Sequence, residues 1–161
     1  MDRLRDKARN IKLLLLDVDG VMTDGGIILG GGTIEIKRFH VQDGLGVALA
    51  RRAGLRVGIL TSRSSEVVER RARELDIEEV SQGCPRKLEG YHRILEKYGL
   101  RDNEVAYIGD DLPDLPVLRR VGLAFAVANA VPEVKRQADY VTRKMGGEGA
   151  VLGTAVGALM M

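Results

Sequence analysis

Leu13 to Leu16 are four leucines in a row, and a β-strand built from them is apolar on both faces. A strand that rests one face on a core and wets the other alternates apolar with polar residues. An unbroken apolar strand has to be covered on both sides, as strands of parallel sheets are. The run from 11 to 17 is followed by others of the same kind at 56–61, 104–110 and 123–128, with a weaker one at 138–142. Helical spacing fills the intervals at 43–53, 64–75, 86–98, 112–120, 131–137 and 149–160. Buried strands alternating with helices predict an α/β fold, a doubly wound and mainly parallel sheet of Rossmann-like form. "GGIILGGGTIEIKRFH" (25–40) departs from the pattern. Its two short strands around a glycine-rich turn predict a small β-hairpin flap after the first strand. One domain over 1–161 accounts for the whole chain. It has no room for a cap domain, because the hairpin and a core helix use 25–55 and one helix and one strand use 62–86.

Open parallel sheets bind ligands beyond the carboxyl ends of their strands. Asp17, Thr61 and Asp110 each close a predicted buried strand, so all three are expected at one crevice. Asp17 and Asp19 are two apart, and in extended chain such residues point to the same side. Gly20 then lets the backbone turn sharply. Two carboxylates facing one ligand make a phosphoryl-transfer pair, one attacking phosphorus and the other moving the leaving group's proton. A calcium loop of the EF-hand type would need an oxygen ligand and a glycine at its fifth and sixth positions. Val21 and Met22 stand there instead.

"YIGDDLPDLP" (107–116) offers Asp110, Asp111 and Asp114 at another strand tip. At ~4 Å and an effective dielectric of ~20, each like-charged pair costs roughly 4 kcal/mol. A hard, oxygen-preferring cation such as magnesium relieves that cost. Capping of the following helix is the competing role for Asp111 and Asp114. An aspartate that attacks a dianionic phosphate also needs positive charge and neutral donors nearby. Thr61, with the turn after it, and Lys87, just inside a helix after Pro85, are the candidates, although a lysine taken alone is ordinarily solvated.

With "DVDGVMTD", "ILTS", Lys87 and "GDDLPD" in this order, the chain resembles the haloacid dehalogenase superfamily over about residues 11 to 140. The stretches "RFHVQDGLG", "QGCPRK", "GDDLPDLPVL" and "ADYVTRKMGGEGAV" are similar to its capless branch, which includes the 3-deoxy-D-manno-octulosonate 8-phosphate phosphatases of lipopolysaccharide biosynthesis. The resemblance implies a magnesium-dependent phosphomonoesterase acting on a small phosphorylated keto sugar acid, an octulosonate 8-phosphate or a nonulosonate 9-phosphate. It implies Asp17 as nucleophile and Asp19 as acid/base. It further implies phosphate binding by Thr61, Ser62 and Lys87, and Mg2+ held by Asp17, the Asp19 carbonyl and Asp110 with support from Asp111 and Asp114. His40, Asp43 and Arg63 are candidate substrate contacts, Arg63 equally a surface residue. A homo-oligomer, by resemblance a tetramer, would cover the open crevice. The alternatives of another class are a phospho-aspartate switch or a regulatory module. Asp19 separates catalysis from the switch, which needs no second acid.

The tail from 146 to 161 begins with three glycines in four residues and continues almost wholly apolar. It is expected either to lie at an active-site mouth, its own or a neighbour's, or to pack as a plain C-terminal helix. The 25 Lys and Arg nearly balance 23 Asp and Glu, so charge selects no acidic partner. The arginine-rich stretch 51–75 has no interleaved aromatics and reads as a solvated face, not as a nucleic-acid site. The lone Cys84 excludes an internal disulfide framework and fits a reducing cytoplasm. No apolar run approaches the ~20 residues of a membrane span, so the chain reads as a complete cytosolic protein without a membrane partner.

Overall fold

The computed structural model describes residues 2–160. Leu13–Leu16 forms β1, with every side chain fully buried. Burying a leucine contributes roughly 1.5–3 kcal/mol, so this strand is firmly held, and so is the position of whatever leaves its end. β1 lies between β4 (Arg56–Leu60) and β6 (Val105–Gly109), parallel to both. With β5 (Glu79–Ser81), β7 (Leu123–Ala126) and β8 (Tyr140–Val141) it builds a six-stranded sheet in the order β5-β4-β1-β6-β7-β8, every pair parallel. This is the doubly wound α/β sheet that the apolar runs predict.

Two layers of helix cover it. On one face α2 (Val41–Arg52) packs against α7 (Ala150–Met160), which also meets α1 (Asp2–Arg9). There, α3 (Glu66–Glu74) lies beside α2, with Arg71 and the following Leu75 against Gly44. On the other face α4 (Lys87–Tyr98) packs on α5 (Leu115–Leu118) and α5 on α6 (Pro132–Gln137). The hairpin is two strands of two residues, β2 (Ile28–Leu29) and β3 (Glu35–Ile36), antiparallel and separate from the main sheet.

One expectation needs correction, and one helix goes beyond the expectations. The single helix over 112–120 is instead a 3₁₀ turn, Leu112–Asp114, running into the short α5. Pro113 and Pro116 supply no backbone N–H, which interrupts the ladder a longer helix would need. The helix at residues 2–9 was not foreseen, its apolar side being only Leu4 and Ala8, which pack on the core, among six charged residues. The tail's apolar stretch is the helix α7 packed on α2. Their approach is close enough that a Cβ on Gly46 would meet the Leu152 backbone at 2.5 Å.

Candidate active site

The strand order reverses direction beside β1. From β1 the chain steps outward through β4 to β5, then returns to start β6 on the other side. Such a switch point opens a crevice at the carboxyl ends of the strands. Asp17 leaves β1 and Asp110 leaves β6, side by side. Asp17, Asp19, Asp110, Asp111 and Asp114 line one cavity of about 160 Å³ together with Thr61, Ser62, Arg63 and Lys87. The structure thus brings together nine of the eleven residues singled out in the sequence. His40 and Asp43 are not among them. His40 caps α2, its Nδ1 accepting from the Gln42 N–H at 3.2 Å. Asp43 is buried and its Oδ1 accepts from the Val151 and Leu152 N–H groups at 2.9 and 3.4 Å, pinning the start of α7.

Lys87 is not a solvated lysine. Its ammonium is buried 2.9 Å from Asp17 Oδ1 and 2.5 Å from Asp114 Oδ1, and it donates to the Tyr107 hydroxyl at 3.2 Å. Burial works against its charge, but the two carboxylates hold its pKa above the usual lysine range. Tyr107, missed in the sequence because it stands inside a buried strand, donates its own hydroxyl to Asp114 at 2.6 Å. Asp114 Oδ2 accepts from the Asp110 and Asp111 N–H groups at 2.8 and 3.1 Å. With four donors around it, Asp114 braces the lysine and the loop. Asp111 is exposed and accepts from the Leu112 N–H at 2.7 Å, so it caps the 3₁₀ turn.

Asp17 and Asp110 show the opposite condition, a shortage of positive charge. Oxygens of Asp17, Asp110 and Asp114 lie within 4.8 Å of one another. Burial pushes the Asp17 carboxyl up to about 6 even with Lys87 beside it. Burial, followed by the charges of Asp17 and Asp114, pushes Asp110 up to about 8. Asp110 Oδ1 is buried with no hydrogen-bond partner among the described residues. Proton-seeking oxygens with an orphaned lone pair fit a divalent, oxygen-preferring cation such as magnesium.

Glycine is required where the loops meet. Gly20 has φ +90°, and a Cβ there would stand 2.0 Å from Asp110 Oδ2. Behind it, a Cβ on Gly146 would fall 1.8 Å from the Gly20 carbonyl oxygen. Asn129 ties the same two loops, donating to that carbonyl at 3.2 Å and accepting from the Gly146 N–H at 2.7 Å. The glycine segment of the tail therefore braces the Asp17–Gly20 loop of its own chain.

Two further residues went unnoticed in the sequence. Lys37, at the end of the hairpin, reaches Asp19 Oδ1 at 2.5 Å and Glu35 Oε1 at 3.2 Å. Their two-residue spacing, which puts both on one side of an extended strand, was the available signal.

Comparison with known proteins agrees with this geometry. Residues 76–152 match the family model of haloacid dehalogenase-like hydrolases. The 3-deoxy-D-manno-octulosonate 8-phosphate phosphatase of Escherichia coli is 48% identical over 145 residues, covering 90% of this chain and 77% of that protein. The crystal structure of the Moraxella catarrhalis phosphatase of the same name, in complex with magnesium ion, phosphate ion and KDO, superposes with a TM-score of 0.96 at 41% identity, over 99% of this chain and 92% of that one. A cobalt-bound form of the Haemophilus influenzae phosphatase gives a TM-score of 0.92 at 37% identity, over 96% and 90% of the two chains. Parallel sheet, switch-point acids and buried lysine thus come with a close relationship in sequence and in structure, and the chain belongs to the 3-deoxy-D-manno-octulosonate 8-phosphate phosphatase family of haloacid dehalogenase-like hydrolases.

Proposed function

We propose that this chain is a magnesium-dependent phosphomonoesterase that hydrolyses 3-deoxy-D-manno-octulosonate 8-phosphate. The observation that carries the reading is the buried contact of Asp17 with Lys87 inside a small crevice of about 160 Å³. Asp17 attacks phosphorus, the bond from phosphorus to the sugar oxygen breaks, and that oxygen takes a proton from Asp19. Asp19 then accepts a proton from water as the water attacks the aspartyl-phosphate, freeing Asp17 and inorganic phosphate. Lys87 and the hydroxyls of Thr61 and Ser62 hold the phosphate oxygens. The Asp17 and Asp110 carboxylates and the Asp19 carbonyl would hold magnesium, with Asp114 as a brace. The ion supplies the charge that lets a carboxylate approach a dianionic phosphate.

A crevice of about 160 Å³ is small for an eight-carbon sugar acid with its phosphate, so the sugar extends beyond it, past Arg63, whose guanidinium reaches Glu35 of the flap. That flap exposes Ile27, Ile28, Leu29, Ile34 and Ile36, each more than half accessible to solvent, a patch that calls for a partner surface. A homotetramer joined through the hairpins would cover these residues and roof the crevice. A cytoplasmic setting fits the single cysteine, and no helix among the described residues is long and apolar enough to cross a membrane.

Phosphate release measured over a panel of phosphorylated keto sugar acids and common sugar phosphates tests the reading. The octulosonate 8-phosphate is expected to give the highest kcat/KM. A higher value for a nonulosonate 9-phosphate would reassign the substrate within the same chemistry. No release from any keto sugar-acid phosphate would remove the reading.

A further inference from the structure

We propose that Lys37 is the positioning residue for the proton-transfer carboxylate of Asp19, an inference that rests on the acid/base reading above. Asp19 shares the crevice with Asp17 but not its anchors. The Asp17 carboxylate is fixed by Lys87 and by the Val18 N–H at 2.7 Å, and Asp110 and Asp114 crowd the same side. The Asp19 carboxylate meets instead a lysine delivered by the flap.

Lys37 is unusual for a residue on a two-stranded hairpin at the surface. Its side chain is only 1% exposed, while that of Arg63 is 41% exposed. An exposed ion pair contributes little and holds nothing still. An ammonium withdrawn from water costs several kcal/mol unless carboxylates replace its hydration. Lys37 has two, Asp19 Oδ1 at 2.5 Å and Glu35 Oε1 at 3.2 Å. Glu35 also holds Arg63 Nη2 at 2.9 Å, and Arg63 Nε lies 3.8 Å from Asp19 Oδ2. The four charges sum to zero, and the buried Lys37 is the closer link between the two carboxylates, so it ties Asp19 to the flap.

The chemical consequence concerns the leaving group. Proton transfer requires the carboxyl oxygen within about 2.6–3.2 Å of the departing oxygen. With Lys37 on Oδ1 and Arg63 no closer than 3.8 Å to Oδ2, Oδ2 is the oxygen left to carry the proton. Without Lys37, Asp19 is released into other rotamers, and in the first step the loss falls on substrates whose leaving oxygen needs a proton. A sugar alkoxide needs one and a p-nitrophenolate does not. The flap thus takes part in the reaction through a side chain that does not itself touch the reacting atoms.

The test compares Lys37→Met with wild type in the first turnover, the step in which the leaving group departs, on the octulosonate 8-phosphate and on p-nitrophenyl phosphate, with Asp19→Asn measured alongside. Lys37→Met is expected to lower the first-turnover rate on the sugar phosphate on the order of 10- to 100-fold, a part of the 10²–10⁴ supplied by a whole proton-transfer group. Its first-turnover release of p-nitrophenolate should be little changed, whereas the later attack of water, which also uses Asp19, is common to both substrates. Lys37→Arg should recover most of the sugar-phosphate rate, which guards against a fold defect in the methionine variant. Equal loss in the first turnover of both substrates, no loss on either, or weaker binding with the first-turnover rate unchanged would each overturn the proposal. If those results came with a selective loss in Asp19→Asn, the acid/base reading would survive its positioning residue. If Asp19→Asn showed no selectivity for the alkyl leaving group, both would fall.

Discussion

The two ends of the sheet handle buried charge in opposite ways. At the amino end Glu104 is buried just before β6, and its partners are complete. Lys12 reaches Oε1 at 2.6 Å and the Arg101 N–H donates to Oε2 at 2.9 Å. The Lys12 contact and those of Arg101 hold its carboxyl down to about 2. At the carboxyl end Asp17 and Asp110 are pushed the other way, up to about 6 and 8. The amino end also has the larger cleft, about 570 Å³, in which Arg51 pairs with Asp76 and Arg56 stacks 4.1 Å from the Tyr98 ring centroid. Size alone would put the chemistry there. The smaller crevice is the one that keeps carboxylates short of counter-charge, and unsatisfied charge in a cleft marks a site built for something that arrives.

That contrast is broken most directly at Asp17. Asp17→Asn should lower kcat by more than about 10⁴-fold, as removal of a nucleophile does elsewhere, while the fold persists, because the amide relieves repulsion. Steady-state phosphate release and a thermal melt check both halves. Near-normal turnover would remove Asp17 from the reaction. Lys87→Met should remove turnover and destabilise as well. It leaves Asp17 and Asp114 buried without their cation, and breaking such a pair costs about 3–5 kcal/mol. Adding Asp114→Asn should return part of the lost stability and none of the activity. A double variant that regained activity would show the lysine to be only structural.

The next effect is a stability that depends on pH and metal together. Asp110 has a folded pKa raised from 3.8 to about 8. A carboxyl shifted up favours the fold below its unfolded value and loses that contribution as pH rises through the folded one. In chelator, the melting temperature should therefore fall between pH 4 and pH 8. Magnesium binds the ionised form, so its stabilisation should grow across the same window. Asp110→Asn should flatten the metal-free curve and remove most of the magnesium shift. An asparagine variant less stable than wild type at pH 8 in chelator would contradict the charge shortage.

How much of this could be read in the chain differs by residue. Asp17, Thr61 and Asp110 were legible because each closes an apolar run, and a parallel sheet lines up its strand ends. Lys87 was a candidate because the site needs positive charge, and the resemblance singled it out. Alone it looks like any helical lysine, and its burial depends on Asp114 and Tyr107, which lie 27 and 20 residues away. Asp43 was misplaced for a similar reason, since the backbone it caps is 108 residues further on. Lys37, just after β3, and Glu35 within it share a side of the extended chain by their spacing, but nothing in that spacing says that the hairpin folds over Asp19. Local periodicity specifies elements and strand tips, whereas contacts made by the ends of long side chains require the assembled fold.

The smallest expected effect comes from the amino end and completes the comparison. Lys12→Met removes one partner of Glu104 and leaves the Arg101 contacts. The pKa of Glu104 is depressed, from 4.5 to about 2. Its pairing therefore stabilises the fold above the unfolded value, and that contribution is lost as pH falls toward 2. The variant should melt slightly below wild type at pH 6, and the gap should close as the pH approaches 2. This is the reverse of the dependence expected from Asp110, whose metal-free contribution weakens on the way up. Turnover, KM and the magnesium shift should all match wild type, because the pair lies at the opposite end of β1 from Asp17. If kcat dropped in Lys12→Met while the fold held, the amino end could not be treated as scaffold alone, and charge satisfaction there would be acting on the crevice through β1 or β6. If kcat held and the gap closed at low pH, the two ends of one sheet would carry opposite electrostatic designs, one completed by its own side chains and the other by its ligands.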